Sequence, residues 1–178
     1  MRPDFEEFRK ISMLVSPNKD LVIFPASMSH FPFELADGSI ISTVCLPAYF
    51  PIELKYPYTA SELADKIQYG IEQWGQHPCF ENHSGKNTLE EKYYGVKGFK
   101  NAVKGNLHIT VTINCEVEGN SVYLSMPRKR GYAYLGLDKI YLPADAEWLD
   151  FAEATLKFIN MDITQLRSYK ILKSDLNI

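Results

Sequence analysis

His77, Cys79 and His83 sit close together, and imidazole and thiolate are the ligands that zinc prefers. No CxxC or HxxxH pair accompanies them, so a fourth ligand goes unidentified. An ordinary polar loop held by Pro78 and Phe80 accounts for the same residues. A small metal- or thiol-dependent enzyme would use Cys79 as nucleophile with either histidine as base, yet no helix N-terminus or oxyanion hole is marked nearby. Gly85-Lys86 resembles the end of a phosphate loop, but Asn87 follows the lysine and Phe80 stands where the first glycine belongs. GxSxG, HExxH and GxGxxG are all absent. Glu90 and Glu91 are adjacent and diverge by about 100° on a helix, which disfavours a shared acid-base pair. On these grounds we expect no catalytic set, no cofactor and no metal.

The remaining chemistry is that of binding. Glu147, Asp150 and Glu153 place like charges at i, i+3 spacing, which a cationic partner would relieve; a solvated helix start with Lys157 pairing Glu153 is the simpler account. Arg128-Lys129-Arg130 could hold a phosphate or could merely protect a sheet edge. Tyr93, Tyr94, Tyr123, Tyr132, Tyr134 and Tyr141 crowd the second half, and tyrosine is enriched in protein interfaces. His108 is assigned to the second face of a sheet and His30 to a Pro-rich loop, neither with a visible partner.

These groups need elements to position them. Leu107, Ile109, Val111, Ile113, Cys115 and Val117 alternate with polar residues, the period of a strand with one buried face. Gly119-Asn120 then predicts a two-residue hairpin turn, with Val117 opposite Val122, Cys115 opposite Leu124 and Ile113 opposite Met126. A second hairpin is expected from Ile11–Val15 and Leu21–Phe24 around Ser16–Asp20, after a short helical turn over Pro3–Lys10. Residues 25–38 read as irregular, and Ser39–Leu46 as a strand that Pro47 and Pro51 end.

Thr59-Ala60-Ser61-Glu62 is a capping box ahead of a helix carrying Leu63, Ile67, Ile71 and Trp74 on one face, with Gly75 as its C-cap. Thr88-Leu89-Glu90-Glu91 repeats the pattern. Asp138-Lys139 separates Tyr132–Leu137 from Ile140–Leu142, giving one or two strands. A last helix from about Asp145 to Met161 turns Trp148, Phe151, Ala152, Thr155, Phe158 and Ile159 inward, and the remainder 162–178 reads as mixed, with a loose end expected. The sum is one α+β domain over residues 1–178, a mostly antiparallel sheet with two main helices packed on it.

Charge and cysteine usage narrow the function classes. A net charge of -3 and a pI near 5.8 supply no general attraction for a nucleic-acid backbone. The N-terminus has no apolar signal core and no apolar run approaches a membrane span, so the protein is expected in the cytosol. Cys45, Cys79 and Cys115 read as buried thiols, with Cys115 on the inward strand face.

Thr88–Lys100, the long strand after it, Met126-Pro127 with Gly131-Tyr132, and Leu142-Pro143-Ala144-Asp145 resemble the immunity proteins of bacterial contact-dependent growth inhibition systems. Trp74-Gly75 and Pro78-Cys79-Phe80 fit as well, so the resemblance covers roughly Ser39 to Ile159. It implies a cytoplasmic protein that binds the cognate C-terminal toxin domain of a delivered effector, commonly a nuclease, and occludes it. It implies no catalytic residue, and the oligomeric state stays open. On that reading Glu81, Glu90, Glu91, Tyr93, Glu147, Asp150 and Glu153 are the candidate partner contacts, since an acidic surface opposing a basic nuclease gives fast association.

Overall fold

A strand that buries alternate residues must find cover for one face, and this chain meets that need with a sheet and helices in a computed structural model that describes residues 1–5, 7–29, 33–34, 37–41, 44–80, 87–131 and 133–178. The strands are β1 (Arg9–Val15), β2 (Leu21–Ser29), β3 (Phe33–Glu34), β4 (Ile40–Ile41), β5 (Val44–Pro47), β6 (Ile52–Leu54), β7 (Leu107–Cys115), β8 (Gly119–Pro127) and β9 (Tyr134–Leu142). The helices are α1 (Ala60–Glu72), α2 (Leu89–Tyr94), α3 (Phe99–Ala102), α4 (Trp148–Asn160) and α5 (Arg167–Leu172). The main sheet runs β5-β2-β1-β7-β8-β9 with β6 also on β2, every pairing antiparallel, while β3 and β4 pair apart from it. The expected α+β architecture is the one observed.

One sheet face carries Ile11, Met13, Ile23, Ile109, Val111, Val122 and Leu124, all essentially inaccessible to water. α1 and α4 cover it with Leu63, Ile67, Ile71, Phe151 and Phe158 in a single core. Both helices start where the capping residues require. The Thr59 side chain accepts from the Glu62 N–H while Glu62 reaches back to the cap, and Asp150 accepts from the Glu147 N–H at 2.7 Å. α1 lies close on the sheet at Gly70, where a Cβ would stand 3.0 Å from Ile23 Cγ2 and 3.4 Å from Ile11 Cγ2.

Several sequence expectations need correction. The β7–β8 hairpin turns over residues 116–118, so that Val122 faces Val111 and Leu124 faces Ile109, and Val117 is 92% exposed at the tip. The cause is local: Asn114 adopts φ +52° at a bulge, and its N–H donates to Asn120 Oδ1 at 3.1 Å. The displacement is an even number of residues, so the buried set up to Ile113 keeps its face. Cys115, past the bulge, is half-buried and lines the second sheet face instead of the core. All three cysteines are half-buried, where full burial was expected.

The helical turn expected over Pro3–Lys10 is absent among the described residues there, and Arg9 and Lys10 already belong to β1. Tertiary contacts outweigh the local helical signal: Phe5 meets Trp148 edge-on, Phe8 meets Trp74 edge-on, and Arg9 stacks on Phe5 at 3.8 Å. β2 continues through Pro25, where irregular chain was expected, because its outer neighbour changes from β6 to β5 at that point. The missing N–H therefore falls between two ladders. β9 is one strand, with a bulge at Leu137 that lets both Leu137 and Ile140 reach the core.

The tail is also pinned, contrary to expectation. Lys129 N–H donates to the Asp175 carbonyl at 2.6 Å, Asn177 N–H to Pro127 at 2.9 Å and Gly105 N–H to Asn177 at 3.2 Å. Tyr169 and Leu176 are buried in the core.

Filling the space at Gly70 tests the α1 packing, since its neighbours Ile11 and Ile23 have no room to yield. Gly70→Val is expected to lower stability by about 2 kcal/mol through overpacking, against about 1 kcal/mol for the cap variant Thr59→Ala. Urea unfolding reads both, and an unchanged midpoint for Gly70→Val would refute the close approach.

Candidate functional site: the open sheet face

The second face of the sheet is apolar only at one end. There Leu14, Val22 and Phe24 pack under Leu89 of α2, with Tyr93, Tyr94 and Tyr134 around them. Beyond this cluster the strands present polar rows that the pairing register defines. One row is Lys10, Thr112, Ser121 and Tyr141; the next is Ser12, Thr110, Tyr123 and Lys139; the third is Leu14, His108, Ser125 and Gly136. Gly136 leaves the space that the Tyr123 phenol occupies, and any Cβ there would overlap its oxygen.

These rows bound a groove of about 400 Å³. Thr110 and Ser121 are 7% and 1% exposed, yet neither hydroxyl has a hydrogen-bond partner among the described residues. Among the described residues Arg9 Nε is the buried side-chain polar atom left without a partner, so the Thr110 and Ser121 hydroxyls still reach the water of the groove, where an incoming acceptor or donor can meet them. Lys139 spans the wall, 2.6 Å from Glu118 and over the Tyr123 ring at 4.9 Å. Burial and Lys10 push the His108 imidazole down to about 3, leaving it neutral. It stacks on Tyr134 at 3.9 Å and its Nδ1 lies 2.9 Å from Ser125 Oγ. Ser125 Oγ also donates to the His108 carbonyl at 3.1 Å, so the serine oxygen accepts from Nδ1–H and the pair is not poised as nucleophile and base.

α2 rims the same face. Tyr134 donates to Glu90 at 2.7 Å, and Tyr93 donates to Glu53 at 2.6 Å. Burial first, then the adjacent carboxylates, raises both phenols well above their ordinary range. Glu91 accepts from the Thr88 N–H at 2.9 Å and the Gly98 N–H at 2.5 Å, which holds its carboxyl below the usual value. Both Glu91 oxygens are thus engaged within the fold.

The seven expected contacts do not form one patch. Glu90, Glu91 and Tyr93 lie with α2 on the open face, whereas Glu147, Asp150 and Glu153 lie on α4, which covers the opposite face. Asp150 caps α4, and Glu153 is exposed without an ion pair to Lys157. Glu81 falls outside the described residues. So do His30, His83, Gly85, Lys86 and Tyr132. His77 stacks on Phe50 at 3.9 Å and meets Gln73 at 3.0 Å, and the Cys79 thiol donates to the Ser27 carbonyl at 3.5 Å. Among the described residues no group of three His, Cys, Asp or Glu side chains is placed to hold a metal. The groove floor was missed because its threonines and serines look like the ordinary outward positions of an alternating strand; only their cross-strand neighbours make them a site.

No family description and no curated protein matches this chain. Among solved structures the fold is similar to the Protein of Unknown Function NMB0488 from Neisseria meningitidis. The TM-score is 0.56 at 12% identity, over 86% of this chain and 94% of that one. At that identity the likeness concerns the fold alone.

Two expectations follow from the groove. Thr110→Val and Ser121→Ala remove hydroxyls with no internal partner, so urea unfolding is expected to show stability unchanged within about 0.5 kcal/mol or slightly raised; a loss well beyond that would reveal a structural role. For His108, the unfolded chain takes up a proton between about pH 6.5 and 3 that the folded chain refuses, so stability declines as pH falls through that window. His108→Gln is expected to flatten this decline when unfolding at about pH 7 and about pH 4.5 is compared.

Proposed function

We propose that this chain binds and neutralises the cognate C-terminal toxin domain of a contact-dependent growth inhibition effector, in the cytoplasm of the cell it protects. The observation that carries the reading is the placement of Tyr123 and Tyr141 with the Thr110 and Ser121 hydroxyls on the stretch of sheet face beyond α2, rimmed by Tyr134 and by Tyr93 of α2. Tyrosine supplies large contact area at little entropic cost, and a polar groove floor supplies orientation. A folded partner seated there would cover the groove and the α2 rim together. Inhibition then follows from occlusion of the toxin's active site, with no bond made or broken by this chain. α4 lies on the far side and takes no part.

No helix among the described residues is long and apolar enough to cross a membrane. Contact-dependent toxins that are nucleases act on intracellular substrates, which places the binding event in the cytoplasm on this reading.

Coexpression with the toxin domain encoded in the neighbouring reading frame tests the proposal: growth is expected to be restored, and undiminished arrest overturns it. Thr112→Arg and Tyr141→Asp change half-buried and exposed positions on the open face and are expected to weaken the complex by roughly a hundredfold, the scale of interface hot spots. Glu153→Lys on α4 is expected to leave it unchanged. Titration calorimetry on folded variants reads these differences, and a reversed pattern would move the interface to α4.

A further inference from the structure

The end of the sheet where β8 turns into β9 concentrates cations in a chain of net charge -3. Lys100 and Lys104 from the α3 region, Lys129 from the turn, and Lys170 and Lys173 from the C-terminal segment line a cleft of about 780 Å³. Arg128 and Arg130 line the adjoining hollow with Asp175. The five lysines are exposed, and none is within ion-pair distance of a carboxylate among the described residues. Asp162 acts on Lys170 from a distance and Asp175 stands in the adjoining hollow beside Lys129, but the cations outnumber these carboxylates, so the end of the sheet is net positive and its like charges repel.

Its geometry is fixed by hydrogen bonds that do not involve the ammonium groups. The backbone ties of Asp175 and Asn177 to Lys129, Pro127 and Gly105, with Asn177 Nδ2 donating to the Lys100 carbonyl at 2.8 Å, strap three chain segments into one rim. The backbone positions from which the lysines project are therefore set before any ligand arrives, which lowers the part of the ordering cost that falls on the chain.

We infer that this cleft docks an acidic polypeptide segment that also carries aliphatic side chains. Charge complementarity gives the acidic character. The cleft also presents Ile171 and Ile178, 66% and 48% exposed, beside Leu176, and such aliphatic surface between lysines matches a peptide carrying branched apolar residues. Among the described residues no aromatic ring lines the cleft to stack a base, and the chain's overall negative charge opposes long-range capture of a nucleic acid. This inference is independent of the toxin reading, because the cleft and the open-face groove share no lining residue.

The test uses the full chain and a fluorescein-labelled peptide of alternating Glu and Leu, followed by anisotropy. Binding is expected to weaken roughly tenfold or more in Lys104→Glu/Lys173→Glu and to fall as salt rises from about 50 mM to about 200 mM, while Lys157→Glu on α4 has no effect. Circular dichroism confirms that the exposed-site variants are folded. Absence of peptide binding, or equal loss in Lys157→Glu, overturns the inference. Tighter binding of a single-stranded oligothymidylate of matched charge would overturn it in favour of a nucleic acid. Growth protection in the toxin assay is scored separately, so either idea can fail alone.

Discussion

The alternation of side chains along β1, β7 and β8 is the constraint on which the rest depends. Ile11, Met13, Ile109, Val111, Val122 and Leu124 must all leave water on one side, and only that side receives α1 and α4. The same geometry forces Lys10, Thr110, Thr112, Ser121 and Tyr123 onto the other side, where α2 and α3 cover one end and, among the described residues, nothing helical covers the rest. The candidate interface is a by-product of core formation: the pleat that builds the hydrophobic layer also sets hydroxyls and phenols into rows at cross-strand spacing.

How much of this was legible in the sequence follows from the range of the interactions involved. The capping boxes at Thr59 and Thr88 and the inward face of α4 are local, and all were readable. The β7–β8 turn depended on an Asn114–Asn120 contact that no hairpin rule contains, so the period-two pattern assigned Ile109, Val111 and Ile113 to the core correctly but misplaced Cys115 and Val117. Phe5 and Phe8 were read as a helix face because their spacing allows it; Trp148 and Trp74, far away in sequence, decide otherwise. The tail was misjudged for the same reason, since backbone donors at Gly105 and Lys129 carry no signature in residue type.

Site legibility divides along the same line. Acidic residues attract attention in a sequence, but Glu91 and Asp150 are largely committed to helix caps. The tyrosines were noticed for their number, and that Tyr123 and Tyr141 share a face came only with the register of β8 against β9. The basic cleft assembles lysines from three separate segments, so no window of sequence displays it, and only Arg128-Lys129-Arg130 gave a partial trace. Two surfaces of different character thus occupy one small molecule: a hydroxyl- and phenol-rich face, and a cationic end.

The bulge at Leu137 has an effect beyond packing. β9 is the terminal strand of the main sheet, and nine residues of regular free edge would be a template on which another chain could add itself. The extra residue breaks the spacing of the outward carbonyls and amides and twists the rim, and Lys139 adds a charge beside the kink. Fibre-like growth from strand to strand along this rim is thereby discouraged.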